Sequence, residues 1–406
     1  MNSPEGARQR HILYAAAFLR ALGVGLMAVL IGLYASRLGM SAAQVGVILS
    51  CALWGAALAA LLTLWLGPRT SQRAMLVALS VLPAAGCALM LMTDSFALIC
   101  AAAFFGMFNV NGRDRGAIPI IEQAIFPATT NDAGRTRVFA WYNVLLDAGY
   151  AAGGLLAALP TLLEHSMSLD ALGAMRASLA VFCGLYLGAA ALYLRVAPRM
   201  EGAAPVGLAH LSPESRPIVA KISLLFLLDA FGGGFVGSAL LAYFFAERFG
   251  LPAAQVAVLF AAGRVLSACS HLAAAWLSKR IGLLNTMIYT HVPSSLLLFT
   301  IVASSDFTVA AFFFLLREGL NEMDVPTRQS YVMAVVRPEE RLAAAGITAL
   351  VRSGGWAAAP VLAGLLMQSA GLGLPLIVAA FTKLSYDVFL WREFRRVKPP
   401  EEAAAT

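Results

Sequence analysis

Long apolar runs separated by short polar connections govern the chain from end to end. A stretch of about 20 mainly apolar residues crosses a roughly 30 Å hydrocarbon layer as a helix rising about 1.5 Å per residue. Twelve such stretches occur, near 12-36, 43-67, 73-94, 97-127, 137-160, 172-194, 221-247, 253-278, 283-305, 307-336, 341-369 and 372-391. A membrane barrel would show alternating segments of about ten residues, whereas these runs are continuously apolar over about twice that length. The pattern predicts an all-α polytopic membrane protein with twelve transmembrane helices.

Composition agrees. The chain has 406 residues, 60% hydrophobic and 13% charged, where soluble domains run at about 45 to 50% apolar and about 25% charged. The start, "MNSPEGARQRH", is short and polar. The first apolar run exceeds the core of about 7 to 15 residues of a signal peptide and has no small-residue cleavage pattern after it, so it is expected to stay as an anchor. Cys51, Cys87, Cys100, Cys183 and Cys269 are odd in number and unclustered, and His11, His165, His210, His271 and His291 show no ligand spacing. Neither a disulfide framework, a metal nor a cofactor is expected.

The net charge of +7 changes meaning once it is sorted by segment. One set of connections, with both termini, carries 18 of the 29 basic residues, while the opposite loops hold only Arg37, Arg176 and Arg248. Positive loops stay inside, so both termini are expected in the cytoplasm, and the surplus is an orientation signal rather than a nucleic-acid footprint. The expected setting is a bacterial inner (plasma) membrane, with membrane lipid and a small-molecule substrate as partners, no nucleic acid, and a monomeric state.

The loop "RVAPRMEGAAPVGLAHLSPESRP" falls near the midpoint and reads as a linker. It separates an N-terminal six-helix bundle, 1-194, from a C-terminal one, 221-391, with 195-220 as cytoplasmic linker and 392-406 as tail. The halves repeat. "SRLGMSAAQVGVIL" (36-49) matches "ERFGLPAAQVAVLF" (247-260), "FLRALGVG" (18-25) matches "LLDAFGGG" (227-234), and "NGRDRGAIPIIEQA" (111-124) matches "EGLNEMDVPTRQSY" (318-331). Six helices is an even number, so the copies share one membrane orientation and are parallel repeats.

Helix count, internal termini, central linker and repeat order together resemble the major facilitator superfamily. "WLSKRIG" (276-282) keeps Leu277, Arg280 and Gly282 of that family's loop signature but has Lys279 where aspartate is usual, and "WLGPRTSQR" (65-73) scarcely matches. These departures leave the subfamily open. The resemblance implies two pseudo-symmetric bundles around a central cavity lined by spans 1, 4, 7 and 10, with 5, 8 and 11 nearby.

Charges inside the spans need partners. Arg20, Arg113, Arg115, Arg264, Arg317, Arg328, Arg352 and Lys383 face Asp114, Glu122, Asp147, Asp229, Glu318, Glu322, Asp324 and Asp387 in number. At about 2.5 to 3.5 kcal/mol each, exposure to lipid would cost on the order of 40 to 55 kcal/mol. Lys383 and Asp387, one turn apart near the end of span 12, are expected to snorkel or pair locally. The repeats set Arg20 against Asp229, Arg115 against Glu322, and Asp147 beside Arg352, which predicts ion pairs between the halves. Asp324 and Arg328 share a helix face, and Pro119 and Pro326 disrupt their turns.

The functional expectation is a secondary transporter that moves a small solute by alternating access, coupled to protons and exporting. Arginines suit an organic or inorganic anion. Arg20, Arg113, Asp114, Arg115, Asp229, Arg317, Asn321, Glu322, Asp324 and Arg328 are the expected substrate-binding or gating residues. Glu122, Asp147 and Asp229 are candidates for proton coupling, with Arg352 as partner of Asp147. Two alternatives stand beside it: an exporter of zwitterionic or neutral drug-like solutes, and a transporter-like sensor that binds without moving its ligand. No nucleophile and base constellation suggests an enzyme.

Overall fold

The computed structural model describes residues 4–67, 69–114, 116–130, 132–198, 212–324, 328 and 340–394. Every regular element among them is helical. In chain order these are α1 (Pro4–Arg37), α2 (Ala42–Leu66), α3 (Gln72–Leu91), α4 (Phe96–Gly106), α5 (Ala117–Ile125), a 3-10 turn (Phe126–Thr129), α6 (Asp132–Leu156), α7 (Leu159–Met167) and α8 (Ala171–Tyr193). There follow α9 (Ser215–Gly234), α10 (Ser238–Phe249), α11 (Ala253–Ile281), α12 (Leu283–Ala303), α13 (Phe307–Asn321), α14 (Arg341–Ala370) and α15 (Leu374–Phe394). Ten described segments are long and apolar enough to cross a membrane.

Three spans expected to be continuous are interrupted, each for a local reason. Span 4 stops at Gly106, and residues 107–114 pass through non-helical backbone, with Met107 and Gly112 at positive φ, before α5 begins at Ala117. Span 5 breaks after Leu156 and restarts as α7, with Pro160 in its first turn, where a missing N–H costs nothing. Span 7 breaks after Gly232, Gly233 and Gly234, residues that weaken a helix interior. The first turn of α10, whose N–H groups have no partner inside the helix, is partly satisfied from the span 4 break, because the Ala239 N–H donates to the Val110 carbonyl at 3.1 Å. Asp324 and Arg328 follow α13, and Pro326 and Arg115 lie outside the described residues.

Residues group into two compact units. One comprises 1–207 with 237–261, and the other 208–236 with 262–406. Contact thus places α10 with the first unit, while the linear halves 1-194 and 221-391 remain our proposal for the repeat. In the first unit α1 packs on α6 and α8. The α1–α6 approach depends on Gly153, where a Cβ would strike the Leu22 carbonyl. In the second, α9 packs on α14, and a Cβ on Gly355 would meet the Leu227 carbonyl at 2.8 Å and the Phe231 nitrogen at 3.0 Å. Small residues let helix backbones close up in lipid, where no hydrophobic effect drives association.

Each unit has an apolar core of its own. Ala17, Ala21, Ile121, Ile125, Phe126 and Tyr142 belong to the first, and Ile222, Phe226, Met287, Tyr386 and Leu390 to the second. Four of the five cysteines, scattered in sequence, meet in space: Cys51 neighbours Cys100 between α2 and α4, and Cys87 neighbours Cys183 between α3 and α8. All remain free thiols.

Candidate functional site

In the first unit the polar centre is built on Arg20. Its Nε donates to Tyr193 Oη at 2.9 Å, its Nη2 to Glu122 Oε2 at 2.5 Å, and its Nη1 to Asp114 Oδ2. Arg20 and Glu122 are wholly shielded from solvent. Glu122 also accepts from the Tyr142 hydroxyl at 2.7 Å and the Tyr193 hydroxyl at 2.5 Å. Asp114 is reachable only because span 4 is broken. Released from helix, its carboxylate accepts from Asn109 Nδ2 at 3.2 Å and the Gly116 N–H at 3.1 Å, while its own N–H donates to Tyr150 Oη at 2.9 Å. A planar guanidinium with two carboxylates and a phenol around it is a fixed brace across α1, α5, α6 and α8. At its edge Arg113 Nη2 lies 3.8 Å from Asp147 Oδ1, both half-buried.

The second unit is organised around Asp229 of α9, and here the groups are titratable. Arg328 Nη1 donates to Asp229 Oδ2 at 3.0 Å and to Asp324 Oδ2 at 2.6 Å. Lys383 Nζ donates to Asp229 Oδ1 at 3.1 Å, and Arg352 Nη2 stands 3.6 Å from Oδ2. His291 of α12 continues the chain, with Nε2 2.8 Å from Lys383 Nζ and Nδ1 2.9 and 3.0 Å from the two oxygens of Asp387. Asp229, Asp324, Arg328, His291, Lys383 and Asp387 are all buried.

A third group lies between α11 and α13. Glu318 accepts from Arg317 Nη1 at 2.6 Å and lies 3.6 Å from Arg264 Nη2, with the Ser267 hydroxyl donating to it at 3.4 Å. Arg317 Nη2 also donates to Asn321 Oδ1 at 3.3 Å, and Asn321 Nδ2 to Glu322 Oε1 at 3.5 Å. Two guanidinium N–H groups, Arg264 Nη1 and Arg317 Nε, are buried with no hydrogen-bond partner among the described residues. Arginine forks with spare donors are suited to oxyanions.

Within its own unit Arg20 is met by Asp114, Glu122 and Tyr193, and its pairing with Asp229, which concerns both units, stays a proposal. The sequence reading is revised in one place. Lys383 and Asp387 neither snorkel nor pair with one another directly: burial makes solvent unreachable, and each instead meets His291. The pairing of Asp147 with Arg352 concerns both units and stays a proposal. His291, Tyr142 and Tyr193 carried no sequence signal that spacing rules detect. The usable clue was a lone histidine in span 9, which otherwise has no charge, facing a chain whose last span holds Lys383 and Asp387 four apart.

The chain has clear relatives. The model of a family described as the Major Facilitator Superfamily matches residues 13–319 and, again, 222–406. The "Uncharacterized membrane protein YJR124C" of Saccharomyces cerevisiae is 21% identical over 428 residues, covering 95% of this chain and 93% of that protein. Among solved structures, a bacterial homolog to the human lysosomal transporter Spinster, inward-facing and occupied, superposes with a TM-score of 0.75 at 14% identity over 97% of this chain and 98% of the other. The nucleoside transporter NupG gives 0.70 at 13% identity, over 95% and 98%. The human organic anion transporter MFSD10 gives 0.59 at 16%, over 96% and 100%. At these identities the likeness to the solved structures is one of fold.

Proposed function

The chain belongs to the major facilitator superfamily, and on that premise we propose that it exports a small solute bearing an anionic group, by alternating access and in exchange for protons. It is a membrane transporter and not an enzyme. The observation that carries the reading is the buried, titratable hydrogen-bond chain through Asp324, Arg328, Asp229, Lys383, His291 and Asp387. Ionisable groups within membrane spans are costly and mark ion or substrate pathways. Glu122, Asp147 and Asp229 remain candidate proton-coupling carboxylates, with Arg352 serving Asp147.

For the solute, the spare donors of Arg264 and Arg317 favour an oxyanion such as a carboxylate or phosphate. That MFSD10, whose fold is shared, is an organic anion transporter is in keeping with this. Glu318 and Glu322 beside the same arginines favour a second reading, a zwitterion whose cationic end they would hold. The distribution of Lys and Arg among the loops supports a plasma-membrane protein of bacterial type with both termini in the cytoplasm, and we propose a monomer.

The test is reconstitution in liposomes with an imposed proton gradient and a panel of carboxylates, phosphates, zwitterions and lipophilic cations, pre-screened by thermal shift. Gradient-driven flux of an anionic solute supports the proposal. Stabilisation by lipophilic cations alone would sink the anion assignment, and saturable binding without flux under any gradient would make the protein a sensor.

A further inference from the structure

We propose that His291 and Lys383 together form the site that takes up the coupling proton, with Asp229 and Asp387 as its counter-charges; this rests on the reading that transport is proton-coupled. The heavy atoms dictate how hydrogens are placed at rest. His291 Nδ1 lies 2.9 and 3.0 Å from the two oxygens of Asp387, so it bears a hydrogen and donates. Its Nε2 lies 2.8 Å from Lys383 Nζ. An ammonium has three N–H groups and no lone pair, so Nε2 accepts there and the imidazole is neutral.

One oxygen is placed to serve both nitrogens. Asp229 Oδ1 is 3.1 Å from Lys383 Nζ and 3.4 Å from His291 Nε2. When a proton binds Nε2, a new N–H bond forms and two donors face each other, so the Lys383–His291 hydrogen bond is lost. The new N–H then turns to Asp229 Oδ1, which already lies on that side. No other covalent bond changes.

The charge count makes the site responsive. With a neutral imidazole, Asp229, Asp324 and Asp387 balance Arg328, Arg352 and Lys383, and one proton leaves the group with a single positive charge. Among the described residues, the groups around the ring come from α15, α9 and α13. From α15 come Lys383, Asp387 and Tyr386, whose ring stands edge-on to the imidazole at 5.6 Å and 84°. From α9 comes Asp229, with Arg328 and Arg352 behind it. The charged residues of α13, which packs along α12, have their described partners in the Arg264 group. Proton uptake therefore re-sorts the hydrogen bonds joining α9, α12 and α15, which is how occupancy by a proton would be transmitted to helix positions.

The whole protein, labelled with 15N-histidine and held in lipid nanodiscs, gives a direct readout by NMR. His291 is assigned from His291→Gln, or, should that variant not fold, by replacing His11, His165, His210 and His271. At high pH the ring should be neutral with its hydrogen on Nδ1, and on acidification it should become doubly protonated, with the wild type taking up about one proton more than His291→Gln. A ring that stays neutral between about pH 5 and 9, or that carries its hydrogen on Nε2, overturns the assignment. In liposomes loaded with the anionic solute that the panel identifies, His291→Gln should keep solute exchange without a gradient and lose gradient-driven accumulation; retained accumulation likewise overturns it. If the ring titrates but wild-type flux ignores the gradient, proton coupling fails and the proton site stands. If flux follows the gradient and the ring does not titrate, the site fails and the coupling stands.

Discussion

Arg20 Nη2 and Glu122 Oε2 meet at 2.5 Å with neither side chain exposed to solvent at all. Removing one member of such a pair strands the other, so Arg20→Leu should lower stability by about 3 to 5 kcal/mol. Arg20→Lys should rescue little, because a point ammonium cannot reach Asp114, Glu122 and Tyr193 with the planar fork they require. Melting temperature in detergent, and recovery of folded protein, are the measurements.

Gly153→Leu should prevent α1 and α6 from closing, since a Cβ there would meet the Leu22 carbonyl. Overpacking of this kind costs about 1 to 3 kcal/mol or more. Gly184→Leu is the control, because nothing lies within 4 Å of its Cβ position. Comparing monodisperse yield after extraction separates a packing requirement from a general intolerance of bulk.

The neighbouring thiols Cys51 and Cys100 should cross-link on treatment with a membrane-permeant oxidant. Peptide mapping should recover α2 joined to α4, and Cys269, exposed on α11, should remain unjoined. A Cys51–Cys183 product instead would contradict the helix arrangement of the first unit.

Arg264→Gln should weaken binding of an anionic solute by about tenfold, which corresponds to about 1.4 kcal/mol. Glu318→Gln should leave more donor capacity on Arg264 and Arg317 and strengthen it. Isothermal titration or thermal shift with the identified solute reads both, and an unchanged affinity in each variant removes this group from the binding site.

What the sequence determined by itself is what depends on local and long-wavelength pattern. Span length follows from the thickness of a bilayer, and the inventory of buried charges follows from the cost of exposing them to lipid. Membership of the repeat was visible in aligned stretches such as 36-49 and 247-260.

Only the tertiary structure decided which charge meets which. Pair energies depend on distances of a few ångströms between side chains far apart in the chain, and a repeat alignment relates positions without saying whether they touch. Arg20 turned to Asp114 because the span 4 helix breaks, a consequence of competing polar residues that a hydropathy window averages away. His291 became part of the centre because α12 and α15 bring residues 291, 383 and 387 together across 96 positions of sequence. A lone histidine has no periodicity, so nothing short of the fold could give it a partner, and that partner is what turns a core residue into a candidate proton site.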